Sequence, residues 1–73
     1  MQAARWERKD GRYYIADVEQ DLLGDWIVVR AWGGKLNKGR LSRTPVSTLE
    51  EGREALLEIE QRRLKHGYTR NDY

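Results

Sequence analysis

The sequence predicts an α+β fold in which a small antiparallel β-sheet of about four to five strands has one amphipathic α-helix packed on it. Two segments, residues 12–20 and 26–32, are rich in aromatic and β-branched residues and alternate as strands do. Turn residues bound them, with Asp10-Gly11 before the first segment and Gly24 between the two. From Leu49 to about His66, apolar residues recur at helical spacing.

The first two strands are predicted to pair as a hairpin. A short strand through Trp6 and Arg8 pairs across Asp10-Gly11 with residues 12–20. Alternation in the second strand places Tyr13 and Tyr14 on opposite faces, so one is expected in the core and the other exposed. The remaining members of its two sides are Ala16 and Val18 with Tyr14, and Ile15 and Asp17 with Tyr13.

Residues 26–32 form the strongest strand of the sequence, and both of its sides carry apolar residues. The inner side is predicted to be Ile27, Val29 and Ala31, and the other side Trp26, Val28, Arg30 and Trp32. A return strand over residues 40–44 follows, and Pro45 ends its pairing or confines it to an edge. The connection contains Gly33-Gly34 and Asn37-Lys38-Gly39, which supply residues that tolerate positive φ angles in turns.

The helix is predicted to begin at Ser47 or Thr48, because both residues have a glutamate three positions later, as a capping box requires. Early glutamates and late arginines complement the helix dipole, and Gly67 is a natural end. The buried stripe is predicted to be Leu49, Gly52, Leu56 and Ile59, with Ala55 and Leu64 beside it. A glycine inside a helix costs about 1 kcal/mol against alanine, so Gly52 indicates close packing on the sheet.

Length and composition restrict the function. With 73 residues, the chain is predicted to be a single domain with a core over about residues 6–68 and a loose tail over 69–73. One histidine and no cysteine exclude disulfides and the usual zinc sites, and no cofactor, metal or membrane partner is predicted. No nucleophile, base and orienting group can be assembled around the one histidine, so no catalytic residue is predicted. A cytoplasmic location is expected, since the N-terminus lacks a signal-peptide pattern.

Positive charge is concentrated in the middle third of the chain. Residues 26–49 carry five bases and no acid, whereas the flanking thirds are slightly acidic. Such asymmetry points to an anionic partner, with Trp32 available for stacking on a base or sugar. About three bases are expected to converge, because alternation prevents all five from facing one way. The candidate nucleic-acid-binding residues are Arg30, Trp32, Gly33, Gly34, Lys35, Lys38, Arg40 and Arg43. A solvated hairpin with Trp32 covering the sheet end remains the alternative.

Several short motifs in this order resemble the WGR domain. They are Arg12-Tyr13-Tyr14, residues 21–26, residues 29–33 and Lys38-Gly39, followed by a capped helix that ends in residues 65–68. The resemblance is closest to small bacterial WGR proteins and extends to the WGR domain of poly(ADP-ribose) polymerases. It implies a small antiparallel sheet with one helix, and DNA binding in which the tryptophan, Trp32 in this chain, packs against sugar. The chain departs from the motif, since Gly34 stands where the family has arginine.

Two functions of different classes follow. The first is a non-enzymatic module that binds nucleic acid, most simply DNA, weakly and without sequence specificity. The second is a protein-interaction or regulatory module that recruits a larger partner. The charge block favours the first, and the missing motif arginine favours the second. The sequence leaves open the oligomeric state and the preference between DNA and RNA.

Overall fold

The computed structural model describes residues 3–72 and consists of one antiparallel sheet with one helix packed on it, which confirms the predicted α+β class. The strands lie in the order β4-β3-β2-β1-β5. Their bounds are β1 Ala4–Glu7, β2 Tyr13–Gln20, β3 Trp26–Gly34, β4 Asn37–Val46 and β5 Thr69–Arg70, with α1 over Leu49–Lys65. In residues 3–72, no helix is both long and apolar enough to cross a membrane.

The core lies between α1 and the face of the sheet that carries Tyr14, Ala16 and Val18 of β2. Tyr14 is buried and Tyr13 is half-buried, which confirms that the two tyrosines point to opposite faces. The core extends from β2 to both neighbouring strands, because Trp6 of β1 pairs with Tyr14 and Val28 of β3 pairs with Val18. The buried hydrophobic residues are Ala4, Trp6, Tyr14, Ala16, Val18, Val28 and Tyr68.

The prediction for the inner side of β3 is wrong. Residues that pair directly across an antiparallel ladder share a face, so Val28 and Trp32 join Val18 and Tyr14 beneath the helix. The side predicted to be inner, namely Ile27, Val29 and Ala31, lies on the open face of the sheet. Alternation identified the two sides of β3, but because both are apolar it could not show which one the helix covers.

Helix α1 begins and ends as the sequence predicts. Thr48 is the N-cap, with its Oγ1 accepting the Glu51 N–H at 3.1 Å. Glu51 Oε2 in turn accepts the Ser47 N–H at 3.3 Å, which satisfies a second backbone donor. At the other end Gly67 has φ of +87° and donates to Leu64 O, while the Tyr68 N–H donates to Arg63 O, so the helix closes in a Schellman motif.

Gly52 is buried on the sheet, as its position in the predicted stripe requires. A Cβ built on Gly52 would lie 2.7 Å from Val18 Cγ1, which is inside van der Waals contact. Leu49, Ala55, Leu56 and Ile59 are half-buried on the same side of the helix. Leu64 is exposed, so its place beside the stripe is wrong; Arg63 takes the inward position in that turn.

The prediction of a loose tail is wrong for residues 69–72. Thr69 and Arg70 form β5, which pairs with Glu7 and Trp6 of β1. Arg70 anchors the segment, because it donates from Nη1 to Glu60 Oε2 at 2.6 Å and from Nε to Asp72 Oδ1 at 2.7 Å. Charged hydrogen bonds thus hold this segment in place. Its sequence has no apolar pattern that would have predicted a strand. Tyr73 lies outside the described residues.

The three glycines of the β3–β4 hairpin do not use the positive φ angles that glycine tolerates in turns, since the only glycines of residues 3–72 with positive φ are Gly11, Gly24 and Gly67. The turn itself is Lys35-Leu36, followed by a register shift that sets Lys38 and Gly39 opposite Gly33. Tyr13 lies across this bulge on the open face. A Cβ would lie 3.0 Å from the Tyr13 hydroxyl at Gly33 and 2.6 Å from it at Gly39. These two glycines therefore make room for the tyrosine.

Candidate nucleic-acid interface

Trp32 lies at one end of the sheet and belongs to an aromatic cluster. Its ring stacks on Tyr14, with centroids 5.7 Å apart and planes inclined by 13°. Tyr14 in turn meets Trp6 edge to face at 6.2 Å. Trp32 is half-buried, so it supports the core and still presents part of its indole to the surface. Trp32 therefore covers the end of the sheet, and its role as a stacking platform for a base or sugar stays a prediction.

A hollow of about 390 Å³ opens beside Trp32. Three exposed cationic side chains, Arg12, Lys38 and Arg40, line it, with Asn37 as a further polar group. Tyr68 and Gly33 complete the wall. Arg40 pairs directly with Trp32 across the β3–β4 ladder, so the two side chains lie on the same face of the sheet. Of the five bases of residues 26–49, only Lys38 and Arg40 line this hollow. The third cation, Arg12, comes from another segment, and its Nε also lies 3.5 Å from Asp10 Oδ2. The hollow therefore meets the expected convergence of about three of those five bases only in part.

Only part of the predicted set lines this hollow: Trp32, Gly33, Lys38 and Arg40. Gly34 lies beside it at the last pair before the turn. Lys35 lies on the other side of the hairpin, in a small hollow with Glu7, Gly11 and Tyr13. A Cβ on Gly11 would lie 2.9 Å from the Lys35 side chain.

Arg30 and Arg43 do not line the hollow. Arg30 is nevertheless close to Trp32, since its guanidinium carbon lies 6.0 Å from the centroid of the indole ring. Arg30 is on the face of Trp32, but it points into the groove between α1 and the β3–β4 hairpin, where its Nη2 donates to Ser42 Oγ at 3.4 Å. That groove has a volume of about 190 Å³ and also holds Glu58 and Arg62. Arg43 pairs with Val29 and is exposed on the open face of the sheet. Strand alternation separates it from Arg40.

Arg63 belongs to a late basic cluster of the sequence, for which dipole balance and solubility is the favoured interpretation over a second basic patch. The cluster is Arg62, Arg63, Lys65 and Arg70. Its guanidinium carbon lies 4.3 Å from the centroid of the Tyr14 ring and 5.2 Å from that of Tyr68. Its buried Nε finds no hydrogen-bond partner among residues 3–72, so the ring faces supply the compensating negative potential. The helix C-terminus thereby places a charge behind the aromatic cluster on which Trp32 rests.

Topology gathers three separate basic segments at one end of the molecule. In an antiparallel meander, alternate turns share an end, so the β1–β2 turn lies beside the β3–β4 turn. Helix α1 starts after β4 at the opposite end and runs back, which brings its last turn to the same place. We call this region the basic end. Its cationic residues are Arg8, Lys9, Arg12, Lys35, Lys38, Arg40, Arg62, Arg63 and Lys65.

The opposite end is acidic. It holds the β2–β3 loop and the first turns of α1, and its acidic residues are Glu19, Asp21, Asp25, Glu50, Glu51 and Glu54. The molecule is elongated, with extents of 37 × 23 × 19 Å. A charge separation of this kind orients an approaching polyanion toward one end, because the field attracts it there and repels it from the other.

Comparison with known proteins adds no relative, since no family model, no curated protein and no solved structure matches the chain. The resemblance to WGR domains therefore rests on the motifs quoted above and stays a prediction. What the geometry provides is a concave, cationic surface with an aromatic side chain at its centre.

Proposed function

We propose that this chain is a non-enzymatic, WGR-type module that binds nucleic acid weakly and without sequence specificity through the basic end. The observation that carries the proposal is the convergence of Arg12, Lys38 and Arg40 around the half-exposed ring of Trp32. Phosphates supply most of the free energy of non-specific binding, and an aromatic side chain adds stacking that tolerates any base.

The parts of the hollow have different roles in this proposal. Lys38 and Arg40 contact successive phosphates, and Arg12 approaches from the neighbouring turn. Trp32 packs against a sugar or base at the centre. Gly34 supplies no guanidinium where the family motif has one, and Lys35 does not replace it because it lies across the hairpin. Recognition is therefore of charge and shape, which favours modest affinity.

The acidic residues support a binding role over a catalytic one. Glu50, Glu51, Glu54 and Glu58 are exposed along the helix, away from the hollow of Trp32. Glu60 is engaged with Arg70. A general acid or base needs a site that tunes its pKa and holds a substrate against it. The hollow instead offers cations and an aromatic ring.

The proposal is tested by titrating the whole chain with fluorescein-labelled single-stranded, blunt duplex and nicked DNA over a range of NaCl concentrations. We expect dissociation constants of about 10⁻⁴–10⁻⁶ M near physiological salt, with little dependence on base sequence. Neutralising about three phosphates gives a log–log slope of roughly −2 to −3. Absence of binding even at low salt would remove the nucleic-acid proposal.

A second candidate function, a protein-interaction module, is favoured by the β2–β3 loop. Leu22 and Leu23 are fully or almost fully exposed at its tip, at 105% and 88%. The loop is nevertheless ordered by hydrogen bonds, because Asp21 Oδ1 accepts the N–H groups of Leu23 at 2.9 Å and of Asp25 at 2.8 Å. A loop that is held in one conformation while its two leucines stay exposed can present them to the apolar surface of a partner protein. A chain that fails to bind DNA while retaining its fold would make this the leading function.

A further inference from the structure

The face of the sheet opposite α1 is uncovered in the described chain, although its centre is apolar. Ile27, Val29 and Ala31 of β3 point to this open face, because Val28 and Trp32 point to the helix. Ile15 of β2 and Leu41 of β4 pair with Ala31 on either side and extend the apolar row across three strands. A strand with apolar residues on both sides is typical of a sheet that is covered on both faces.

Charge on the open face is arranged in a definite order. Val29 pairs with Asp17 on one side and with Arg43 on the other, so one row reads acid, apolar, base. The next row outward begins with Glu19 beside Ile27 and ends with Pro45. Acids thus lie along β2 and the base along β4, while β3 between them is uncharged on this face. In the described part of the chain, Asp17 and Arg43 form no ion pair with any other residue.

We infer that the open face binds a second copy of this chain, in a two-fold dimer whose axis runs parallel to β3. Rotation about that axis places β2 of one protomer over β4 of its partner. Asp17 then faces Arg43 of the partner subunit, and Arg43 faces the partner's Asp17. Ile15 and Leu41 meet in the same reciprocal way, as an isologous interface requires.

The alternative two-fold axis, which lies across the strands, is disfavoured by the same charges. It would place β2 over β2 and β4 over β4, so each acid would lie near its own copy. Like charges brought together across an interface are destabilising. Either axis leaves the strands of the two sheets aligned, offset by about 30°, which is the common arrangement for sheets that meet face to face.

The area of the open face determines how large a dissociation constant we expect for the dimer. A patch of three strands and about six residues covers roughly 300 Å² per protomer, at about 4.8 Å per strand and about 3.3 Å per residue. Its accessible area is larger than this flat footprint, but it remains at the low end of specific interfaces. We therefore expect a weak dimer, with a dissociation constant on the order of 10⁻⁵–10⁻³ M. The dimer does not involve Trp32, Lys38 or Arg40, which lie on the helix side of the hairpin or at its end.

Sedimentation equilibrium of the whole chain, from about 20 μM to 2 mM, tests this inference over the range that the interface size predicts. Arg43→Glu should weaken association at least tenfold, because it sets two acids against each other at both ends of the row. Asp17→Arg should do the same. The double variant, Asp17→Arg with Arg43→Glu, should restore association, since it exchanges the partners.

Two further variants complete the experiment. Leu41 is 62% exposed on an edge strand, so Leu41→Glu should leave the circular dichroism spectrum unchanged and abolish the dimer. Arg53→Glu, which changes an exposed base on the helix, should leave the association constant unchanged. A chain that stays monomeric at 2 mM overturns the inference. A dimer that is indifferent to Arg43→Glu, or that the double variant fails to restore, overturns it as well.

Discussion

Substituting Gly52 with alanine tests the packing of helix on sheet, because two opposing effects meet at this position. Alanine favours the helix by about 1 kcal/mol over glycine. The added Cβ, however, would lie 2.7 Å from Val18 Cγ1 and 3.0 Å from Val18 Cγ2. Val18 is 2% exposed and branched at Cβ, so it cannot swing away as a long surface side chain would.

Overpacking of a filled core typically costs about 1–3 kcal/mol, which exceeds or matches the gain in propensity. We therefore expect Gly52→Ala to lower the free energy of unfolding by about 1 kcal/mol. In a domain of this size that corresponds to a fall in Tm of about 4–8 °C. Thermal unfolding followed by circular dichroism measures it.

A double-mutant cycle with Val18→Ala isolates the cause. That change removes both methyl groups that the new Cβ would meet, leaving only Val18 Cβ at an ordinary 3.5 Å. In the Val18→Ala background, Gly52→Ala should become stabilising by about 1 kcal/mol, because only the propensity gain remains. The four proteins can be compared in one fixed concentration of a stabilising osmolyte, since Val18→Ala is itself destabilising. A rise in Tm for Gly52→Ala in the original background would refute the close approach.

Three further perturbations have expected outcomes. Leu56→Ala, at a half-buried position against the core, should cost about 2 kcal/mol, whereas Leu57→Ala on the exposed side should cost under about 0.5 kcal/mol; chemical denaturation of both variants compares them. Trp32→Ala should cost about 2 kcal/mol because it removes the stack on Tyr14, and Trp32→Phe should recover most of this; a Trp32→Ala chain as stable as the original would show that the ring is not part of the core. The hydrogen bond from Arg70 holds the pKa of Asp72 below its ordinary value of 3.8. The stabilisation that this bond gives the C-terminal segment is therefore complete above that pH and is lost as pH falls through the lowered pKa; amide exchange at Asn71 should accelerate there, and in Asp72→Asn this step should vanish.

The sequence was sufficient for the features that depend on local chemistry. Ser47-Thr48 with the glutamates three residues on predicted the start of α1, and Gly67 predicted its end. Gly52 predicted close packing, since no other role explains a glycine inside that helix. These predictions succeeded because each motif satisfies its own backbone groups or its own steric need without reference to the rest of the chain.

Local sequence patterns could not predict the features that depend on which strands pair and in which register. The covered side of β3 follows from its register with β2, and Ile27 and Val28 are equally apolar. Gly33 and Gly39 looked like turn glycines, because their actual partner, Tyr13, lies on another strand. Arg70 in the strand at Thr69-Arg70 forms ion pairs with Glu60 and Asp72. A hydrophobic pattern in the sequence cannot predict such contacts.

The candidate site was predicted in part for the same reason. Trp32, Lys38 and Arg40 are close in sequence, so a charge count over one segment found them. Arg12 comes from another segment and joins the hollow only through topology, which also places Arg63 behind the aromatic cluster. The position of Arg12 could have been predicted from the strand order. Alternate turns of a meander share an end, so the β1–β2 turn had to lie beside the β3–β4 turn.

Binding of nucleic acid at the basic end can be tested by comparing two double variants that remove the same charge. Lys38→Gln with Arg40→Gln neutralises two exposed bases in the hollow of Trp32, and Arg43→Gln with Arg53→Gln neutralises two exposed bases outside it. The measurement is the slope of log affinity against log salt for duplex DNA. We expect the first pair to flatten the slope by about one to two units and the second to leave it within about half a unit of the original. Equal slopes for the two double variants would contradict the claim, because binding would then follow net charge and not the site.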